Sequence, residues 1–261
     1  MQARLDPKFS NYLLQLGNGI SPITIDEETK IPDDMLIRYE NDAGSLQKLI
    51  NAVFHNIHDY LENLSEMLNR AILTPKTDEI NARLKQMFPG ELKQYYSFDE
   101  AIYAFEQDIM EDFLNTLTPN GVPSNELLLK KDFPITLFRN INLSEGLCNE
   151  TRLIRRNFER NVIDAEIAVG HHNGKRVFIP IIIFLPKTDE NNGFPFKRTQ
   201  FPIRLSFAMR INKAHGQTLD FVGIYLPQPV FSHGQLYVAL SRAKTASSVK
   251  IVIRSISVNR S

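Results

Sequence analysis

Cysteine is nearly absent from the sequence: Cys148 is the only one among 261 residues. A single thiol cannot form a disulfide within the chain, and no histidine or aspartate stands near it at the spacing of metal ligands. We therefore interpret Cys148 as a packing residue and predict no metal site. The first residues also lack the charged and then apolar layout of a signal peptide, and no apolar run approaches the roughly 20 residues that span a bilayer. These absences predict a soluble, intracellular protein with no membrane partner.

A phosphate-binding loop of the form G-x-x-x-x-G-K-[ST] is also absent. Such a loop holds nucleotide phosphates with its backbone amides and its lysine. The nearest string runs from Gly170 to Arg176, but it is one residue short and lacks the hydroxyl that binds the metal. It also lies in a predicted hairpin, so we interpret it as a β-turn. No apolar strand ends in the acidic pair that would hold magnesium. The chain by itself is therefore not expected to bind ATP or to hydrolyse it efficiently.

Acidic residues almost disappear from the last quarter of the sequence, where Asp220 is the only one after position 196. The ten basic residues of the same segment are Lys197, Arg198, Arg204, Arg210, Lys213, Arg242, Lys244, Lys250, Arg254 and Arg260. A basic segment on a chain of zero formal charge is a candidate surface for phosphates, of a nucleotide or of a nucleic acid. The alternative is a solvated face that the acidic remainder of the chain balances.

The spacing of apolar residues predicts α/β structure at both ends of the chain. In the first half we expect a helix over 45–60, a strand over 70–75, and a second helix with Thr77 as its N-cap. After Pro202 the pattern returns as a strand over 205–211, a polar turn over 212–218, a strand over 222–226, a helix opened by a capping box over 232–235, and a strand over 247–253.

Residues 122–200 have a different character, because short β-branched and aromatic runs follow one another closely. The pair Asn173-Gly174 stands between two of these runs and is a strong signal for a hairpin turn. Several short strands in under about 80 residues are typical of a small barrel. We therefore predict a β-barrel inserted into the α/β domain.

Arg242 ends the helix that follows the capping box, and it comes directly after Ser241. Its position alone favours an ordinary arginine, on the surface or in the last turn, where the helix dipole stabilises a positive charge. The other interpretation is an arginine finger. Such a guanidinium reaches a nucleotide that a neighbouring domain holds, and it stabilises charge that develops on the γ-phosphate.

Two long strings bear on this choice. Residues 207–226 read FAMRINKAHGQTLDFVGIYL, and residues 233–253 read HGQLYVALSRAKTASSVKIVI. They resemble motifs five and six of the petite-integration-frequency (PIF) family of superfamily-one DNA helicases, which includes the Helitron transposon helicases. Further resemblance to the family covers residues 12–20, 71–81 (which resembles motif four), 137–153 and 200–207.

The resemblance implies an ATP-driven helicase that moves 5′ to 3′ on single-stranded or fork DNA in repair, recombination and telomere maintenance. The nucleus is the implied compartment, with the mitochondrion as the alternative. The family uses two RecA-like domains, with ATP and Mg²⁺ between them. The implied division is a connecting segment and tail of the first domain over 1–60, the second RecA-like domain of the P-loop NTPase type over 61–121 and 201–261, and an inserted SH3-like β-barrel over 122–200. The N-terminal RecA-like domain, with its phosphate loop, would be a missing partner.

The resemblance also implies roles for individual residues. Arg242 matches the catalytic finger. The implied ATP-binding residues are Gly216, Gln217, Thr218 and, as a weaker candidate, Arg70. The implied DNA-binding residues are Arg210, Asn212, Lys213 and His215.

Three positions depart from the family pattern: Arg210 replaces a threonine, Glu150 a glycine, and Ile181 an arginine. Glu150 adds a charge and removes backbone freedom in a turn. Together with the missing first half, these departures keep two alternatives open. One is a non-catalytic remnant of a helicase that binds single-stranded DNA, and the other is a poorly folded fragment.

Overall fold

The computed structural model describes residues 6–20, 31–55, 57, 64–102, 107–119, 121–186, 195–214, 216–228 and 233–254. They fall into two compact units. The first unit lies within residues 1–88 and 207–261, and the second within residues 89–206. These limits differ from the division that the resemblance implies. The reason is that helices before residue 60 pack onto the sheet of the first unit, whereas strands before residue 122 pair with strands of the second.

The helices are α1 (Pro7–Gly17), α2 (Asp42–Val53), α3 (Leu64–Leu68), α4 (Asp78–Met87), α5 (Gln107–Thr116) and α6 (His233–Leu240). The strands are β1 (Arg70–Thr74), β2 (Leu92–Tyr96), β3 (Phe98–Ala101), β4 (Glu126–Lys130), β5 (Pro134–Leu137), β6 (Arg152–Phe158), β7 (Val162–Ile167), β8 (Arg176–Pro180), β9 (Ile182–Phe184), β10 (Phe196–Gln200), β11 (Ile203–Leu205), β12 (Ala208–Arg210), β13 (Phe221–Leu226) and β14 (Val249–Ile253).

A parallel sheet in the order β12-β1-β13-β14 forms the centre of the first unit. Its strands are short apolar runs, as expected for a parallel sheet that is covered on both faces. Residues of α1 and α6 share one apolar core with β1, β13 and β14. The predicted α/β structure is therefore confirmed, and its sheet is parallel.

Helix α2 lies directly on β13 at Gly223. A Cβ atom at this glycine would lie 2.7 Å from Val53 Cγ2 and 3.0 Å from Ile72 Cγ1. Only a residue without a side chain allows the helix and the strand to approach so closely. The helix begins earlier than predicted because the Asn41 side chain accepts a hydrogen bond from the Gly44 amide at 2.7 Å. It ends at Val53, so the predicted extension through residues 54 and 55 is wrong.

The single strand predicted over 205–211 is also wrong, since the chain passes there from one unit to the other. Strand β11 pairs with β5 in the second unit, and β12 pairs with β1 in the first. Between them Phe207 turns into the core of the first unit, where its ring lies 5.9 Å from Phe54 and 5.7 Å from Phe88, measured between centroids. An apolar run does not reveal which of two cores its side chains enter.

Two predicted helix caps have different outcomes. Thr77 immediately precedes α4, but it has a helical backbone and its hydroxyl makes no capping bond. A capping side chain needs an extended backbone to reach the amides of the first turn, so this prediction is wrong. Ser232, the first residue of the predicted capping box, lies outside the described residues.

The second unit contains three antiparallel sheets. Their strand orders are β11-β5-β6-β7-β8, β3-β10-β9 and β2-β4. The predicted hairpin at Asn173-Gly174 is confirmed, because it joins β7 to β8 and Gly174 has a φ of +82°. Hydrogen bonding among the described strands does not close any sheet on itself. The barrel and its SH3-like form therefore stay predictions.

A buried arginine ties the parts of the second unit together. Arg198 on β10 and Asp99 on β3 form a salt bridge in which both side chains are fully buried. The same guanidinium donates to the carbonyl oxygens of Leu114, Leu117 and Pro123 at 2.9–3.0 Å. It therefore fixes the end of α5 and the following loop against two strands.

Candidate functional site

The chain beyond α6 satisfies the last carbonyl groups of that helix. Main-chain amides of residues 241–243 donate to three of the last four carbonyls. The fourth carbonyl belongs to Val238, and it accepts from both Ser241 Oγ and Arg242 Nε at 3.0 Å. The last four carbonyls of a helix have no partner within the helix itself. Arg242 therefore helps to complete the helix end, although it lies beyond the last residue of α6 and is buried and not on the surface.

The remainder of the Arg242 guanidinium faces the predicted polar turn. Its Nη1 donates to the carbonyl oxygens of Ala214 and Gln217, both at 3.3 Å, and its Nη2 donates to Ser241 Oγ at 2.8 Å. Four of its five N–H groups thus have partners. The residue is only 9% exposed, and burial lowers the pKa of the Arg242 guanidinium. All its partners in the described part of the chain are neutral oxygens, so no carboxylate there neutralises its charge.

The turn itself is a 3-10 helix, Ile211–Ala214, followed by a left-handed glycine. Gly216 has a φ of +83°, a conformation that costs other residues about 1–2 kcal/mol. The Gln217 amide closes the turn on the Ala214 carbonyl at 3.1 Å. The structure thus brings together the predicted residues Arg242, Gly216 and Gln217. Thr218 is exposed and makes none of these bonds.

Basic residues of the last quarter differ in what they contact. Five of them pair with carboxylates: Lys197, Arg198, Arg204, Lys244 and Arg254. Lys250 donates to the carbonyl of Asp34. Arg210 and Lys213 are exposed, and the side chain of neither forms a hydrogen bond or an ion pair with any described residue.

Much of the basic segment is therefore balanced by acidic partners, as the alternative interpretation held. Among the described residues, Arg210 and Lys213 are exposed cations whose side chains have no such partner, and both are residues that the resemblance assigns to DNA. Asn212, also assigned to DNA, is exposed between them, and His215 lies outside the described residues. Arg260 also lies outside the described residues.

Arg70 lies at the start of β1 and is occupied by internal contacts. Its Nη1 donates to the Val53 carbonyl at 3.0 Å and lies 2.9 Å from His55 Nδ1, while its Nη2 lies 3.3 Å from Glu66 Oε2. None of these partners contacts Arg242. The structure thus does not bring Arg70 to the Arg242 cluster, and its nucleotide role stays a prediction.

Glu150 shows the consequence of replacing the family glycine. Its φ is +66°, the left-handed region that favours glycine, so the substituted residue keeps the backbone of the turn. Its carboxylate binds Arg204, whose guanidinium also lies 5.2 Å from the centre of the Phe138 ring. Ile181, another departure, is partly exposed at 36%.

Ser241 contributes a side chain to the site, and the sequence analysis did not single it out. Its hydroxyl lies between the helix end and the guanidinium, yet the only signal in the sequence was its place directly before Arg242.

Among the described residues no group of three or more His, Cys, Asp or Glu side chains is arranged to hold a metal ion. In the same residues, no helix has the length and apolar character to cross a membrane.

Comparisons with known proteins agree with the resemblance. Residues 112–158 match the family described as DNA helicase Pif1, 2B domain, and this range falls within the second unit. The ATP-dependent DNA helicase PIF1 of Xenopus laevis is 30% identical over 183 residues, which are 66% of this chain and 25% of the relative.

Solved structures show the same fold. The Pif1 helicase from Candida albicans matches with a TM-score of 0.60 and 18% identity, covering 98% of this chain and 55% of that one. The Pif1 helicase from Bacteroides in complex with ADP-AlF3 and ssDNA matches with a TM-score of 0.58 and 20% identity, covering 94% and 49%. The chain thus spans about a quarter of the curated relative and about half of the solved chains.

Proposed function

We propose, from the premise that this chain belongs to the Pif1 family of helicases, that it forms part of an ATP-dependent DNA helicase. In this proposal a RecA-like domain outside these 261 residues holds ATP and Mg²⁺ with its phosphate loop. Arg242 reaches the γ-phosphate, and the turn over 211–218 links the nucleotide to single-stranded DNA. Movement is 5′ to 3′, and the biological setting is repair, recombination and telomere maintenance in the nucleus or the mitochondrion.

One observation carries the proposal: Arg242 is a buried cation whose partners among the described residues are all neutral. Arg198 is more deeply buried, but Asp99 neutralises it, so that pair is complete without a ligand. A buried charge without an opposite charge is costly. An approaching phosphate would offset that cost at Arg242, and a guanidinium can bind two phosphate oxygens at once.

The test is DNA-stimulated ATP hydrolysis by an assembly of this chain with a phosphate-loop domain. We expect Arg242→Ala to lower kcat on the order of 10³-fold or more, as removal of an arginine finger does. DNA affinity should be unchanged. Arg254→Ala is the matched control, because it removes a half-exposed arginine of the same unit whose partner is Asp42 on the surface. Equal ATP turnover in wild type and Arg242→Ala would contradict the proposal.

The DNA contacts are proposed at Arg210, Asn212, Lys213 and His215. The support is that Arg210 and Lys213 are exposed and are not engaged by the described chain. Each phosphate contact that is removed should reduce the slope of log affinity against log salt by about 0.7 for single strands. Anisotropy of a labelled oligonucleotide measures this slope for Arg210→Ala and Lys213→Ala. Lys244→Ala, whose ammonium already pairs with Asp220, should leave the slope unchanged.

A second candidate is a non-catalytic protein that binds single-stranded DNA. It is favoured by the exposed side chains of Arg210 and Lys213, which are suited to bind DNA phosphates without any nucleotide. It predicts the same salt-dependent DNA binding, but no ATP hydrolysis in any assembly. The hydrolysis assay with wild-type chain therefore separates the two functions.

A further inference from the structure

The Arg242 guanidinium is held unequally on its two sides. On one side, Nε bonds the Val238 carbonyl at 3.0 Å and Nη2 bonds Ser241 Oγ at 2.8 Å. On the other side, Nη1 bonds the carbonyls of Ala214 and Gln217 at 3.3 Å each. Because N–H···O bonds are most common near 2.9–3.0 Å and weaken with distance, the side that faces Ser241 is the stronger.

Ser241 is well placed to orient this stronger side. Its backbone amide continues the helical pattern to the Tyr237 carbonyl at 2.9 Å, so its main chain is fixed. Its hydroxyl hydrogen points to the Val238 carbonyl at 3.0 Å. A hydroxyl has one hydrogen and two lone pairs, so donation to Val238 leaves the lone pairs for Arg242. The residue is 9% exposed, which limits competition from water.

We infer that Ser241 is the positioning residue for Arg242. Its hydroxyl holds Nη2 next to the bond between Nε and the Val238 carbonyl, so this side of the guanidinium is fixed. The Nη1 side exchanges the carbonyls of Ala214 and Gln217 for phosphate oxygens. This inference rests on the proposed function of Arg242 for the identity of the anion. It does not rest on that function for the role of Ser241, which the hydrogen bonds define.

The role of Ser241 can be tested on this chain alone by modification with phenylglyoxal, followed by mass spectrometry of the Arg242 peptide. Loss of one hydrogen bond to the guanidinium should raise the modification rate of Arg242 in Ser241→Ala on the order of 3- to 10-fold. Ser241→Thr keeps the hydroxyl and should restore the wild-type rate. Ser248→Ala is the control, because it removes a partly buried hydroxyl of the same unit, and that hydroxyl bonds Thr245 and not Arg242.

A purely structural role predicts a different pattern, in which rates follow the thermal midpoints and not the presence of a hydroxyl. Equal Arg242 modification in wild type and Ser241→Ala would overturn the inference. If Ser241→Thr does not melt cooperatively, Ser241→Cys replaces it. A thiol has a similar size but is a weak acceptor, so this variant should behave like Ser241→Ala, and wild-type protection in it would equally overturn the inference.

Hydrolysis measurements then separate this inference from the proposed function. In an ATP-hydrolysing assembly, Ser241→Ala should lower kcat on the order of tenfold with little change in KM, because ground-state binding does not depend on the finger. Faster Arg242 modification together with unchanged kcat in both Ser241→Ala and Arg242→Ala would support the positioning role and refute the finger. If Arg242→Ala lowers kcat but Ser241→Ala leaves kcat unchanged, the inference is overturned.

Discussion

Removal of the Arg198 guanidinium tests what holds the second unit together. Arg198→Ala leaves the Asp99 carboxylate buried without its cation, and it removes the guanidinium donor from the carbonyl groups of Leu117 and Pro123. The Leu114 carbonyl loses one of its two donors and keeps the Leu117 amide. Breaking a buried ion pair by removing one partner costs about 3–5 kcal/mol. Each buried carbonyl left unpaired adds about 1 kcal/mol or more. Since a domain is stabilised by only about 5–15 kcal/mol, we expect the second unit to be largely unfolded.

The assay is urea unfolding followed by tyrosine fluorescence and circular dichroism, with hydrogen exchange to locate the change. Peptides of β3, α5 and β10 should lose protection in Arg198→Ala. Lys197→Ala is the matched control, since its partner Glu100 and the lysine itself are partly exposed and such pairs contribute about 0–1 kcal/mol. A loss of less than about 1 kcal/mol in Arg198→Ala would refute the reasoning that the buried network is essential.

Three further predictions concern single positions. Gly223→Ala should destabilise the first unit by about 1–3 kcal/mol through overpacking against Val53, measured by urea unfolding; an unchanged midpoint would contradict the close approach. Glu150→Gly and Glu150→Ala both lose the ion pair with Arg204, but the glycine variant should be more stable by about 1 kcal/mol because φ is positive at this position. Equal urea midpoints of the two variants would exclude backbone strain at residue 150. The Phe9 amide, and then the Ala246 amide, lower the pKa of Asp6 below 3.8. The ionised Asp6 carboxylate therefore contributes to the free energy of unfolding above about pH 3.8, and this contribution is lost as the pH falls through the lower pKa of the folded state. The thermal midpoint of wild type relative to that of Asp6→Asn should decrease only in that acidic range.

Local signals in the sequence were sufficient for much of the fold. Strand β1 is stopped by a proline, β13 is a continuous apolar run, β14 is apolar except for Lys250, and the hairpin of β7 and β8 carries its Asn-Gly turn. Each of these features is decided by residues within a few positions. The division between units was not predicted, because it depends on which core receives Phe207, and that choice is made by Phe54 and Phe88 from distant parts of the chain.

The site was predictable in its members but not in its contacts. The strings around motifs five and six identified Arg242, Gly216 and Gln217, which the structure brings together. The atoms that hold Arg242 are mainly backbone carbonyls, and every residue carries one, so residue type gives no signal. Charge counting was misleading for Arg198: it raised the positive count of the last quarter, yet Asp99 neutralises it in the interior.

The position of Ala214 suggests how the two halves of the candidate site communicate. Strands β12 and β13 are both parallel to β1, so residues 211–220 must return from the carboxyl end of one strand to the amino end of the other. Ala214 lies in this short return, directly after Lys213, and its carbonyl binds the Arg242 guanidinium. If a phosphate competes for that guanidinium, the Ala214 carbonyl loses one of its two donors and keeps only the Gln217 amide, so the backbone beside Lys213 is held less firmly. By reciprocity, DNA that fixes Lys213 changes the affinity of Arg242 for phosphate by the same factor. Coupling between nucleotide and DNA would then require one peptide unit to change partners, without any longer pathway through the core.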